Sequence, residues 1–150
     1  MTRLSLSRFL AIGAVVAMVA AGCGRQPGYS AWHTFGNSLW RYNDTVVLAT
    51  DSVRPVRDVV LTVGHSASYP YANIWLEMSY PLGDTITADT LNVRLCDEYG
   101  RWYGYGSGVS FQCSDTIVPR HDIRPGDTIR LRHIMRMDTV PGIESIGIAY

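Results

Sequence analysis

Hydrophobic and polar residues alternate with a period of two in four separated stretches of the chain. Val59, Leu61 and Val63 mark the first, and Ile74, Leu76 and Met78 the second. Leu91, Val93 and Leu95 form the third, with Asn92 and Arg94 between them. Ile129, Leu131 and His133 form the fourth, with Arg130 and Arg132 on the opposite parity. A period of two sends alternate side chains to opposite faces, so each stretch predicts a strand with one buried face. No stretch after Cys23 carries the 3.6-residue period of an amphipathic helix. Turn signals separate the strands: Tyr80-Pro81-Leu82-Gly83, Asp97-Glu98-Tyr99-Gly100, Arg124-Pro125-Gly126-Asp127 and Val140-Pro141-Gly142. Short alternating strands with such punctuation predict an all-β fold, a single antiparallel β-sandwich of jelly-roll-like form.

The N-terminus has a different pattern. Arg3 and Arg8 precede an apolar run from Phe9 to Ala21, 13 residues long. A membrane-spanning helix needs roughly 20 apolar residues, so this run is too short to span. It ends in Ala20-Ala21-Gly22-Cys23, which resembles a bacterial lipobox. Residues 1–22 therefore predict a lipoprotein signal peptide. Cys23 is the expected lipidation site and the start of the mature chain. Residues 23–31, rich in Gly, Pro and Ser, predict a short tether, and 32–150 the β-sandwich domain. Removing Arg3 and Arg8 takes the net charge from zero to −2, and the chain has no Lys. This excludes a broad cationic surface for nucleic acid. Cys96 and Cys113 remain after lipidation, and an exported pair predicts either a disulfide or two buried thiols.

Asp, then Thr or Ser, then an aliphatic residue recurs seven times. Asp closes a turn and the β-branched pair opens a strand, so the motif reads as strand punctuation. In an exported protein it also resembles an O-glycosylation acceptor. The candidate acceptors are Thr45, Ser52, Thr85, Thr90, Thr116, Thr128 and Thr139.

Catalytic and cofactor signatures are weak. Gly104-Tyr105-Gly106-Ser107-Gly108 lacks the following helix that a phosphate-binding loop needs; strand-like Val109-Ser110-Phe111 follows instead. His33, His65, His121 and His133 show no metal-ligand spacing. His121 reads as a solvated loop residue, and His133 as a half-buried, hydrogen-bonded residue on core-facing parity. Asp97-Glu98 reads as a turn, with no signature of acid/base chemistry. No catalytic residue, cofactor or metal is expected. The aromatic residues offer more. Asn73 and Trp75 lie opposite the apolar parity of their strand, and Trp102, Tyr103 and Tyr105 follow the next hairpin. These five form the candidate interaction surface, for a protein or for sugars, with core packing as the alternative. Arg130, Arg132 and Arg136 predict a basic stripe, either solvated or facing an acidic partner.

The run Tyr69-Pro70-Tyr71-Ala72-Asn73-Ile74-Trp75-Leu76 and the run Asp97-Glu98-Tyr99-Gly100-Arg101-Trp102-Tyr103-Gly104-Tyr105-Gly106 resemble the gliding motility lipoprotein GldH family. Tyr80-Pro81, Gly83-Asp84-Thr85, the lipobox and the closing Pro141-Gly142-Ile143-Glu144-Ser145-Ile146-Gly147-Ile148 are also similar. The resemblance implies a non-enzymatic envelope lipoprotein, accessory to gliding motility and the type IX secretion machinery. It implies envelope machinery proteins as partners; the lipobox predicts the lipid anchor, and Gly24-Arg25-Gln26-Pro27, without the acidic cluster of a surface-export signal, favours an outer-membrane position facing the periplasm. A carbohydrate-binding β-sandwich lipoprotein is the alternative, with a glycan as its ligand.

Overall fold

The computed structural model describes residues 28–150. The expected signal peptide, Cys23 and the first part of the tether lie outside the described residues. Eleven strands follow: β1 (Ser30–Thr34), β2 (Leu39–Arg41), β3 (Val46–Ala49), β4 (Val59–Ser66), β5 (Asn73–Leu82), β6 (Thr85–Arg94), β7 (Tyr105–Gly106), β8 (Ser110–Ile117), β9 (Thr128–His133), β10 (Thr139–Pro141) and β11 (Ile143–Ala149). One 3-10 turn, Gly36–Ser38, is the helical element among the described residues.

The strands form a five-stranded sheet in the order β1-β11-β4-β8-β7 and a four-stranded sheet in the order β3-β9-β5-β6, with a small β10-β2 ribbon. All pairings are antiparallel. The pairs nest in sequence. The β5–β6 hairpin is innermost; β4–β8, β3–β9 and β1–β11 enclose it in turn. That nesting is a jelly roll, in which a long antiparallel ribbon rolls into two facing sheets. The sandwich expected from the alternation is therefore the observed fold.

The inward faces are the apolar parities. Val59, Leu61 and Val63 of β4 meet Ile74, Leu76 and Met78 of β5, Ile129 and Leu131 of β9, and Ile146 and Ile148 of β11 in one buried core. Fully burying one such side chain contributes about 1.5–3 kcal/mol. Trp40 of β2 closes one end of the core. It stacks on Phe35 at 4.7 Å and donates from Nε1 to the Asp44 carbonyl at 2.7 Å.

Some expectations need correction. The tether does not reach Ala31: Ser30 and Ala31 pair with Ala149 and Ile148 as the start of β1. The Asp-Thr/Ser motif opens a strand at Val46, Thr85, Thr128 and Thr139. Asp89-Thr90-Leu91 and Asp115-Thr116-Ile117 instead run inside β6 and β8, and Asp51-Ser52-Val53 lies in a loop. In that loop the Ser52 hydroxyl turns back to the Arg54 carbonyl at 2.6 Å, a local bond that replaces strand pairing.

Candidate functional site

The five candidate surface residues divide among three places. β5 is an inner strand of the four-stranded sheet, and its register sets Asn73 opposite Arg94 and Trp75 opposite Asn92. Ile74 and Leu76 point into the core, so Asn73 and Trp75 face outward. Trp75 is 41% exposed. The Asn73 side-chain amide donates to Asn92 Oδ1. Tyr105 lies on β7, at the far edge of the other sheet, and is 89% exposed. β7 pairs it with Gln112, which pairs with Gly64, and this row alternates with the buried Val63 and His65. Tyr105 therefore faces outward from the five-stranded sheet, on the side of the molecule opposite Trp75.

Trp102 faces neither way. It bridges to Cys96 and turns its half-buried ring inward, 4.5 Å from the His65 ring and 6.1 Å from Phe111. Tyr69 completes this cluster beside His65 and donates to the Asn73 carbonyl at 3.0 Å. Tyr103 is fixed by its amide to the Leu95 carbonyl at 2.8 Å and is partly exposed. The expected single aromatic surface is thus corrected. Parity holds only along a strand, and Trp102 and Tyr103 lie in the loop between β6 and β7.

His65 is fully buried, with Nδ1 3.0 Å from the Ser66 carbonyl and no partner for Nε2. Burial holds its pKa below the ordinary histidine value. Its parity with Val59, Leu61 and Val63 is the sequence signal for this position. His133 faces the core as expected, but it is fully buried and neither ring nitrogen has a partner. Trp40 and Tyr42 flank it edge-on at 5.6 and 5.8 Å. Burial lowers its pKa as well. His121 is exposed in its loop.

The disulfide is not formed. Cys96 and Cys113 are separate buried thiols, and Cys113 Sγ lies 3.4 Å from the Arg94 carbonyl, its hydrogen-bond acceptor. Burial pushes the Cys113 thiol up, which keeps it protonated. Asp97 closes its turn by accepting the Tyr99 and Arg101 amides, both at 2.9 Å, and pairing with Arg101 Nε at 2.7 Å. The Arg101 backbone N–H leads the interactions that hold its carboxyl below the usual range. Of the candidate acceptors, Thr45, Thr85, Thr90 and Thr116 are exposed, whereas Ser52, Thr128 and Thr139 are half-buried. No group of three His, Cys, Asp or Glu side chains placed to hold a metal occurs among the described residues.

Two outer faces result. That of the four-stranded sheet carries Trp75 and exposed Val47, with Arg130 and Arg132 of β9 between them. Arg132 pairs with Glu77 at 2.9 Å and lies 5.1 Å over the Tyr42 ring, so one of the three arginines of the expected basic stripe is neutralised within the domain. Arg136 falls beyond the end of β9 and does not continue the stripe. The outer face of the five-stranded sheet carries a cavity of about 430 Å³ beside Tyr105. A larger one, about 970 Å³, lies at the end of the sandwich where the tether enters, between Gly28, Tyr29 and Tyr150 and the loop from Asp51 to Asp58.

The family model for the GldH lipoprotein matches residues 28–149, every described residue but the last. The chain belongs to the GldH lipoprotein family. It is accordingly a gliding-motility-associated lipoprotein with a lipid-anchored place in the cell envelope. No curated protein matches the chain. Among solved structures, the chain is similar to the CBM35 module of Abf62 from Cellvibrio japonicus, at 13% identity over 80% of this chain and 92% of that one, with a TM-score of 0.44. That likeness carries nothing about this GldH lipoprotein's ligand.

Proposed function

We propose that this GldH lipoprotein is a non-enzymatic accessory component of the gliding-motility and type IX secretion machinery. It is anchored through lipidated Cys23 in the outer membrane, faces the periplasm, and acts by recognising other envelope machinery proteins. The observation that carries this reading is Trp75, 41% exposed on an inner strand of the four-stranded sheet. A large ring left half in water on the outer side of an inner strand contributes little to folding, while Trp, Tyr and Arg dominate the centres of protein interfaces. Tyr42, Arg130 and Arg132 supply the rest of that composition. Asn73 lies on the same face; Trp102 packs against the core instead, and Tyr103 lies in the β6–β7 loop with its ring partly exposed.

The anchor fits this orientation. Gly28 lies five residues after Cys23 in the sequence, a reach of at most about 18 Å. The loop around Val53 is therefore nearest the lipid. Along β9 and its extension, Trp75 is placed beside Ile134, six residues beyond Thr128 at the tether end, or about 20 Å further out. Exposed Thr85 and Thr116 are the O-glycosylation sites that would leave the Trp75 face uncovered. The test is co-purification from native membranes with Trp75→Ala. The expected result is loss of machinery proteins from a folded, membrane-bound variant. An unchanged set of co-purifying proteins would overturn the proposal.

A further inference from the structure

We infer that the outer face of the five-stranded sheet binds a neutral glycan, with one sugar ring held in the cavity against Tyr105 and the chain running across the sheet toward Trp32. The cavity of about 430 Å³ falls within the usual size of small-molecule sites. Its floor is Gly64, where a side chain would collide with the Ser145 hydroxyl, so the depth depends on glycine. Its walls are the exposed Tyr105 ring, Gln112, Glu144 and Ser145. Glu144 is the extra residue of a β-bulge: Ile143 pairs with His65 and Ser145 with Gly64, leaving Glu144 between them. Bulges re-aim side chains in this way beside functional sites. The Ser110 hydroxyl then fixes the Glu144 carboxylate at 3.1 Å.

The donor set selects the ligand. An aromatic face, an amide, a hydroxyl and a fixed carboxylate match a sugar, which has apolar C–H faces and a rim of hydroxyls. The carboxylate is the charged group in the lining, and no cation accompanies it, so an anionic sugar or a nucleotide would be repelled. A peptide strand would need a free sheet edge. The free edge on this side is that of β7, at the margin; β4, under the hollow, is paired on both sides, with β11 and β8, and offers only side chains.

Trp32 extends the surface. In the register it sits opposite Gly147, where a Cβ would run into the indole carbons Cδ2, Cε3 and Cε2 together. One indole face therefore rests on the glycine and the other faces outward, 48% exposed. Trp32 on β1 and Tyr105 on β7 are four strand spacings apart, about 19 Å. That exceeds one sugar ring and suits an oligosaccharide.

The test is calorimetry on the lipidated protein in nanodiscs, with maltotetraose, cellotetraose, chitotetraose and their monosaccharides as probes. The expected result is saturable binding of at least one tetrasaccharide, tighter than its monosaccharide. Tyr105→Ala should weaken both by about tenfold or more. Trp32→Ala should weaken the tetrasaccharide and leave the monosaccharide unchanged. Both side chains are exposed, so both variants should fold. Trp75→Ala should bind sugar normally, which separates this site from the protein-recognition face. No binding of any probe, or binding that Tyr105→Ala leaves intact, would overturn the inference.

Discussion

The two outer faces of the sandwich have the same backbone chemistry and opposite surfaces. The four-stranded face is built outward, with Trp75, Val47 and two arginines standing above the sheet. The five-stranded face is built inward around Gly64 and Gly147, with rings at its margins and hydroxyls between, including Thr62 and Ser114 at 2.7 Å. Raised aromatic and cationic side chains suit a protein partner whose surface can close over them. A hollow with fixed polar walls suits a small rigid ligand. The difference teaches that one aromatic-rich sequence stretch can serve two unlike surfaces when a sandwich separates its parities.

The largest expected effect falls on the five-stranded side. Gly104 has a φ of +80° and no room for a Cβ against the Gln112 backbone carbonyl. Gly104→Ala should destabilise the domain by about 1–3 kcal/mol and displace β7. Thermal unfolding measures the first, and loss of sugar binding the second. On the opposite face, Trp75→Ala should reduce partner affinity by about 2 kcal/mol or more. Its melting temperature should stay near that of the parent protein, since the ring is already half in water. A Trp75 variant that unfolds instead would identify the ring as a folding element.

Between the faces, His65 and His133 give the core a pH dependence. Both are held below their ordinary pKa by burial, so the unfolded chain binds protons that the folded one refuses. Stability should therefore be full above the unfolded value of about 6.5 and fall as the pH drops below it. Denaturant midpoints at pH 7.5 and 5.5 should show the decline; His133→Phe should reduce it and leave the share that belongs to His65. The smallest effect is expected at Glu77. Glu77→Gln breaks its partly exposed pair with Arg132 and should cost about 0–1 kcal/mol of stability. Releasing Arg132 should still alter the salt dependence of partner binding.

Much of this architecture was legible from alternation. β4, β5 and β9 each follow one core-facing parity, β6 does so over its second half at Leu91 and Val93, and Trp75 faces outward as its parity predicts. β8 was harder to read, because Cys113 is its single buried residue and the strand is otherwise polar or half-buried. It sits in the sheet through its pairing with β4. β11 hides its pattern because the bulge at Glu144 shifts parity in mid-strand. Trp32 was masked by its neighbourhood, since β1 begins in what composition marks as tether. Trp102 could not be placed at all without the β6–β7 loop, whose path is set by the Cys96 bridge and the Asp97 turn. The hollow beside Tyr105 depends on pairings between strands far apart in sequence, which no local pattern encodes.

The most direct test of the two-face account is photo-cross-linking in intact cells, with the reactive group placed at Val47 on one face and at Tyr105 on the other. Adducts to envelope machinery proteins from position 47, with none from position 105, are the predicted result. Equal protein adducts from both positions, or adducts from position 105 alone, would contradict it.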